Sequence, residues 1–342
     1  VSWFEANKAE IKPKPEKKKA AVKVCEKPAA DTMQGKQSHT EIDQSRMNPN
    51  GYIITSCQNN SEVVLPFLTA LRAYALEQEL TIMMGAVSYN MAAYAKCEAG
   101  SLLNHAPQLR EHIVDKPTQL FPDLVFCGEM QINPTMKYPV GSSAGYHGDQ
   151  SLIYPHNNIQ LMPYPTGKIG VPNNVYSTGS ITVPTFINRN AGIKADKDHK
   201  IAALIVVPWV NAAGYQVRQI HWINDSFVDM GCEVFADGRI ENAPPATTLN
   251  FGDLHSEKMD YESLDRACKI AMDLEAKTVV CHDTFDFTSR NHHNTANHLF
   301  IAAQGQTSIA DDLAQAGDVL SIIGEQTAAD QILIVRSNHD EA

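Results

Sequence analysis

In the final third of this 342-residue chain, three short stretches carry side chains from which a divalent-metal site can be built: GDLH at 252–255, HDTFD at 282–286 and SNHD at 337–340. A hard or borderline ion takes carboxylate oxygen, imidazole nitrogen and amide oxygen, and two ions about 3.5–4 Å apart need one carboxylate that can bridge them. Asp253 and His255 alternate, so at a strand end both can point to one face. Asp283 is placed to bridge, and Asn338 offers an amide oxygen. His339 faces the other way from Asn338 and can protonate a leaving alkoxide, with Asp340 beside it to orient the ring.

These tips need strands and helices to bring them together, and the pattern supplies both. ATTLNF, TVVC and QILIV read as strands that run into the three stretches. DYESLDRACKIAMDLEAK, with Leu264, Ala267, Cys268, Ala271, Met272 and Leu274 at helical spacing, separates the first two, and a second helical segment separates the next two. Strands alternating with helices, each strand ending in polar residues, predict an α/β domain over 246–342 with its site at the carboxyl edge of a parallel sheet.

Upstream, residues 51–245 read as an N-terminal α/β domain. YIITSCQ, VVLPFLTALRAYALEQEL and TIMMGAV form a strand, a helix and a strand. A long stretch rich in Gly, Pro, Asn and Tyr follows, and strands resume at HKIAALIVV, YQVRQIHWI and FVDMGCEVFADGRI, where Asp237-Gly238 predicts a hairpin turn. Gln58 to Asn60 and Thr178 to Ser180 are read as turns rather than as ligand loops. Residues 1–50 mix Lys, Glu and Pro with little to bury and form a tail or linker; a solvated spacer is favoured over a basic arm touching phosphates. His292, His293 and His298, in RNHHNTANH, either add phosphate or metal contacts or belong to a polar loop before a helix.

Composition narrows the class. Hydrophobic residues make up 43% of the chain, enough for a sizeable core, and no apolar run approaches the roughly 20 residues of a membrane-spanning helix. A formal charge of −11 argues against a surface coated in positive charge, while leaving room for a local basic groove. Seven cysteines without a CxxC pair give no support to zinc-ribbon or thioredoxin chemistry and read as reduced, buried thiols of a cytosolic protein. No glycine-rich dinucleotide or Walker loop occurs. The chain opens at Val1 without a leader, so its numbering is expected to start inside a longer sequence.

The ordered blocks resemble the first three signatures of the calcineurin-like metallophosphoesterases, D-x-H, G-D-x-x-D and G-N-H-[DE], with 30 residues from Asp253 to Asp283 and 55 from Asp283 to Asn338. The resemblance implies a β-sandwich with flanking helices, of which the front portion is present. It implies two divalent ions, of which Mn²⁺ suits the mixed ligands best. Asp253 and His255 would hold the first ion, Asp283 would bridge, Asn338 would hold the second and His339 would be the catalytic acid, with Asp286 and Asp340 supporting their blocks. His282 and Ser337 stand where that family has glycine, and its downstream His blocks do not appear, so the 342-residue form is expected to hold one ion firmly and to show little activity alone. Residues 51–342 also resemble the pre-early DNA-transfer proteins of large siphophages, through YIITSCQNN, STGSITVPTF and HDTFDFTSRNHHN. That implies a metal-dependent phosphodiesterase acting on DNA in the cytoplasm of an infected cell, in host DNA degradation or DNA transfer. A non-catalytic DNA-binding or assembly protein, and a nucleotide or protein phosphatase, remain the alternatives, and homo-oligomerisation stays open.

Overall fold

The structure is a computed structural model and describes residues 42–89, 104–141, 149–164, 173–210, 213–287, 299 and 308–335. All of these lie in the compact unit Glu41–Ala342. It is mixed α/β, with several sheets and few helices.

The expected strand, helix and strand form as β1 (Tyr52–Gln58), α1 (Leu65–Glu77) and β2 (Thr81–Val87), with β2 parallel to β1. Next come β3 (Ile113–Val114), β4 (Pro117–Phe121), β5 (Leu124–Cys127), β6 (Ser151–Tyr154), β7 (Leu161–Tyr164) and β8 (Asn173–Ser177). Helix α2 (Ala191–Asp198) precedes the β9 (Ala202–Pro208) and β10 (Tyr215–His221) pair. A first five-stranded sheet has the order β10-β9-β1-β2-β3, and a second has the order β4-β5-β6-β8-β7. Every residue of β1 is buried, the polar Thr55, Ser56 and Gln58 included, because both faces of this sheet are covered. One face packs Ile53 and Ile205 on Phe67, Leu71 and Tyr74 of α1. The other packs Tyr52, Ile54 and Met83 against Phe126 and Ile153 of the second sheet.

A small antiparallel meander follows, of β11 (Ser226–Asp229), β12 (Cys232–Phe235) and β13 (Ile240–Asn242). Its second turn is the Asp237-Gly238 hairpin, where Gly238 takes φ +84°, a conformation that favours glycine. Buried Asp229 accepts from both Nε (2.7 Å) and Nη2 (2.6 Å) of Arg218 and from the Tyr74 hydroxyl (2.7 Å), fastening the meander to β10 and α1.

The last sheet is three-stranded and wholly parallel: β14 (Thr248–Asp253), β15 (Thr278–His282) and β16 (Gln331–Ile334), in that order across the sheet. The connections hold α3 (Tyr261–Asp273) and α4 (Ile309–Thr327). Helix α3 starts where the Asp260 carboxylate accepts the Glu262 N–H, and α4 where the Ser308 hydroxyl accepts the Asp311 N–H. Leu264, Cys268 and Ala271 of α3 and Val319 and Ile323 of α4 pack with Val279 and Cys281 on one face of this sheet. For residues 246–342, expected to form the front of a sandwich, the described part is this sheet with its two helices.

Candidate metal centre

The carboxyl edge of the parallel sheet brings together Asp253, His255 and Asp283, three of the four residues expected to hold metal. One ligand atom from each lies within 4.8 Å of the others. Donors about 2.0–2.2 Å from a common ion stand at most about 4.4 Å apart, so modest side-chain rotation brings all three onto one centre. Two carboxylates and an imidazole are a donor set that a borderline divalent ion accepts.

Local backbone geometry explains the convergence, and it differs from simple alternation. Asp253 ends β14 just after a bulge, where the register slips between Asn250 and Gly252 and the Asn250 side chain accepts the Gly252 N–H at 2.8 Å. Bulges re-aim the residues that follow them, and this one sets Asp253 opposite His282. His255 lies beyond the strand in the left-handed region, at φ 44° and ψ 64°. It is this reversal, and not a two-residue strand period, that turns its ring toward Asp253. Asp283 is also left-handed, at φ 43°. Asp and His tolerate this region better than most residues, and such backbone recurs at functional sites.

The two loops are zipped together beyond the strands. The N–H groups of Leu254, His255 and Ser256 donate to the carbonyls of His282, Asp283 and Thr284 at 3.0, 2.8 and 3.0 Å. Gln315 of α4 donates to the Ser256 carbonyl at 2.9 Å. His282, where the resembled family has glycine, is extended rather than left-handed, so a side chain there meets no backbone penalty. Burial pushes the pKa of the Cys281 thiol up to about 11.

Asp286, expected to support its block, is buried, and its Oδ1 lies 3.7 Å from Nδ1 of His255. Lys258 is ion-paired to the same carboxylate, and the Glu257 carboxylate accepts the Asp286 N–H at 2.9 and 3.0 Å. Glu257 and Lys258 were missed in the sequence reading, although they stand two and three residues past the GDLH block. Asn338, His339, Asp340, His292, His293 and His298 lie outside the described residues.

The other stretches weighed for ligand contact serve structure. The Gln58 amide nitrogen donates to the hydroxyls of Ser61 (2.9 Å) and Thr185 (2.6 Å), and Asn59 accepts the Tyr89 N–H at 2.8 Å, closing the turn after β1. Thr178, Gly179 and Ser180 are buried, and Gly179 and Ser180 bridge neighbouring backbone. A cleft of about 820 Å³, with Trp209, Tyr215, Arg218, Val228 and Leu274 in its lining, holds none of the three metal-competent residues. No sequence pattern announces it. Among the described residues no helix is long and apolar enough to cross a membrane, and the five described cysteines are free thiols.

Over 99% of its length the chain is 31% identical to Protein A1 of Escherichia phage T5. It spans 63% of that relative's length. The chain is therefore phage-related. No family model matches it, and no solved structure matches it significantly.

Proposed function

We propose that the chain is a metal-dependent phosphodiesterase acting on DNA, with a role in host DNA degradation or DNA transfer during phage infection. The observation that carries this reading is the convergence of Asp253, His255 and Asp283 at one sheet edge, with donor atoms within 4.8 Å. The relationship to a phage protein supports the setting.

Asp253 and His255 would hold a first ion, for which Mn²⁺ fits the mixed oxygen and nitrogen donors, and Asp283 and Asn338 would serve a second. When bound, such ions polarise a phosphodiester and activate water for in-line attack. The protein's own part is positional. The zipped loops fix the backbone that carries two carboxylates and one imidazole before any ligand arrives, so side-chain rotation is the adjustment left for binding. His339 donates the proton to the leaving oxygen.

The test is calorimetric titration of the full chain with Mn²⁺ beside turnover on plasmid DNA and on a small aryl phosphodiester. Asp283→Asn removes a charged donor and should weaken Mn²⁺ binding by about tenfold or more, since even outer partners of a ligand contribute about 10–100-fold. Unchanged uptake removes Asp283 from the site. Because the 342-residue form is expected to show little activity alone, turnover is read on a form extended past Ala342, and firm binding without turnover on any phosphodiester in that form favours the non-catalytic alternative.

A further inference from the structure

We propose that Gln315 of α4 is a positioning residue for the candidate centre: by donating to the Ser256 carbonyl it holds the backbone reversal at His255 that turns the imidazole toward Asp253. The inference deepens the metal reading above and rests on it for its consequence, but the backbone it describes can be followed without any metal.

The reversal is where holding is needed. His255 stands at φ 44° and ψ 64°, and a residue other than glycine keeps such backbone only where its surroundings over-determine it. Part of that constraint comes from the neighbouring loop, since the N–H groups of His255 and Ser256 donate to the Asp283 and Thr284 carbonyls at 2.8 and 3.0 Å. Those bonds fix the N–H side. The Ser256 carbonyl belongs to a fully buried residue, so it needs partners within the protein. It accepts the Met259 N–H across the following turn at 3.2 Å and the Gln315 amide nitrogen at 2.9 Å. The shorter of the two bonds thus comes from a residue 59 positions away.

The topology explains how α4 reaches the site. After β15 the chain leaves the sheet at its carboxyl edge, and β16 runs parallel to β15, so α4 must run back and its first turns lie at that edge. Val319 and Ile323 pack on the sheet with Val279 and Cys281 and set the register of the helix. Gln315 is one turn before Val319 on the same stripe, which places its amide at the loop that follows β14. An apolar side chain at this position would only extend the packing stripe; glutamine supplies a donor there instead.

The experiment uses the full chain with isotopically labelled histidine and compares the wild type with Gln315→Leu and Gln315→Asn. Leu keeps the helix and the bulk without the donor; Asn keeps the amide but falls one methylene short. In the wild type without metal, His255 should show by NMR the close N–H to Hα contact within the residue that left-handed backbone gives, and the Ser256 N–H should exchange slowly. Both variants should weaken that contact, speed exchange at Ser256 and weaken Mn²⁺ binding by about two- to tenfold, the range of one net hydrogen bond, while β1, β2 and β9 exchange at wild-type rates. An unchanged His255 signal in a folded Gln315→Leu overturns the proposal, and so does faster exchange spread over the whole chain, which would mark Gln315 as a general stabiliser. Wild-type Mn²⁺ affinity beside a lost His255 signal overturns it as well, because the reversal would then position no ligand. A His255 signal that is lost in the variants of a protein whose wild type takes up no Mn²⁺ supports the hold of Gln315 on the backbone and sinks the metal reading instead.

Discussion

At the scale of single residues, the proposed reading divides the site into groups that would hold a metal and one group, His339, that would move a proton. Asp253, His255 and Asp283 are brought within 4.8 Å by backbone reversals at His255 and Asp283. Their removal should therefore appear first as lost metal. His339, assigned here as proton donor, should behave in the opposite way. A positioned general acid contributes about 10²–10⁴-fold to rate without contributing to affinity. In a form extended past Ala342 that carries the downstream His blocks, His339→Asn is accordingly expected to lower phosphodiester turnover by about that factor while Mn²⁺ content, measured by atomic absorption, stays near wild type. A parallel loss of metal in this variant would make His339 a ligand and reassign the proton transfer to another group.

At the scale of elements, a second residue-level effect becomes a property of a sheet. His156 follows β6 with its ring fully buried, Nδ1 accepting the Asn158 N–H at 3.0 Å and Nε2 placed to donate to the Asn133 carbonyl at 3.2 Å. Burial lowers its pKa to about 4. In the unfolded chain the ring takes a proton near pH 6.5, so between about pH 6.5 and 4 the unfolded state binds more protons. The stability tied to neutral His156 is complete above pH 6.5 and is lost as pH falls through that window, by up to about 3 kcal/mol. Urea midpoints should drop between pH 7 and pH 5, and His156→Gln should flatten that slope; an equally steep slope in the variant would move the effect to His105 and His199, whose pKa values burial also lowers. The elements themselves were unevenly legible. β1, α1, β2, β9 and the Asp237-Gly238 hairpin could be read because apolar runs and a glycine turn announce them locally. The second sheet could not. Its strands are four or five residues long, lie among Gly, Pro and Asn, and pair across the chain, as β6 does with β8 while β7 lies outside it. The contact of Glu257 and Lys258 with Asp286 was hidden for the same reason, since it joins residues 28 and 29 positions apart that meet only once two loops are zipped.

At the scale of the molecule, the apolar packing is divided. Ile53, Phe67 and Phe227 belong to one cluster, Tyr52 and Phe126 to a second, and Val125 and Tyr154 to a third, whereas Val279, Cys281 and the helices α3 and α4 share a separate one beneath the candidate centre. A ligand that binds only the native carboxyl edge stabilises the structure that forms that edge, by RT ln(1 + [L]/Kd), or about 2.7 kcal/mol at a hundredfold excess over Kd. Proteins open in partly independent units, and separate cores are where such units divide. Saturating Mn²⁺ should therefore slow amide exchange in the loops at 253–258 and 281–287 and in β14 and β15, while β1, β2 and β9 exchange at their metal-free rates. The strongest local effect is expected at the N–H groups of Leu254, His255 and Ser256, which already bridge the two loops. The comparison is hydrogen exchange followed by mass spectrometry with and without Mn²⁺, repeated on Asp283→Asn. Protection spread evenly over all four sheets would mean that the unit opens as a whole, and protection that persists in Asp283→Asn would place the ion elsewhere.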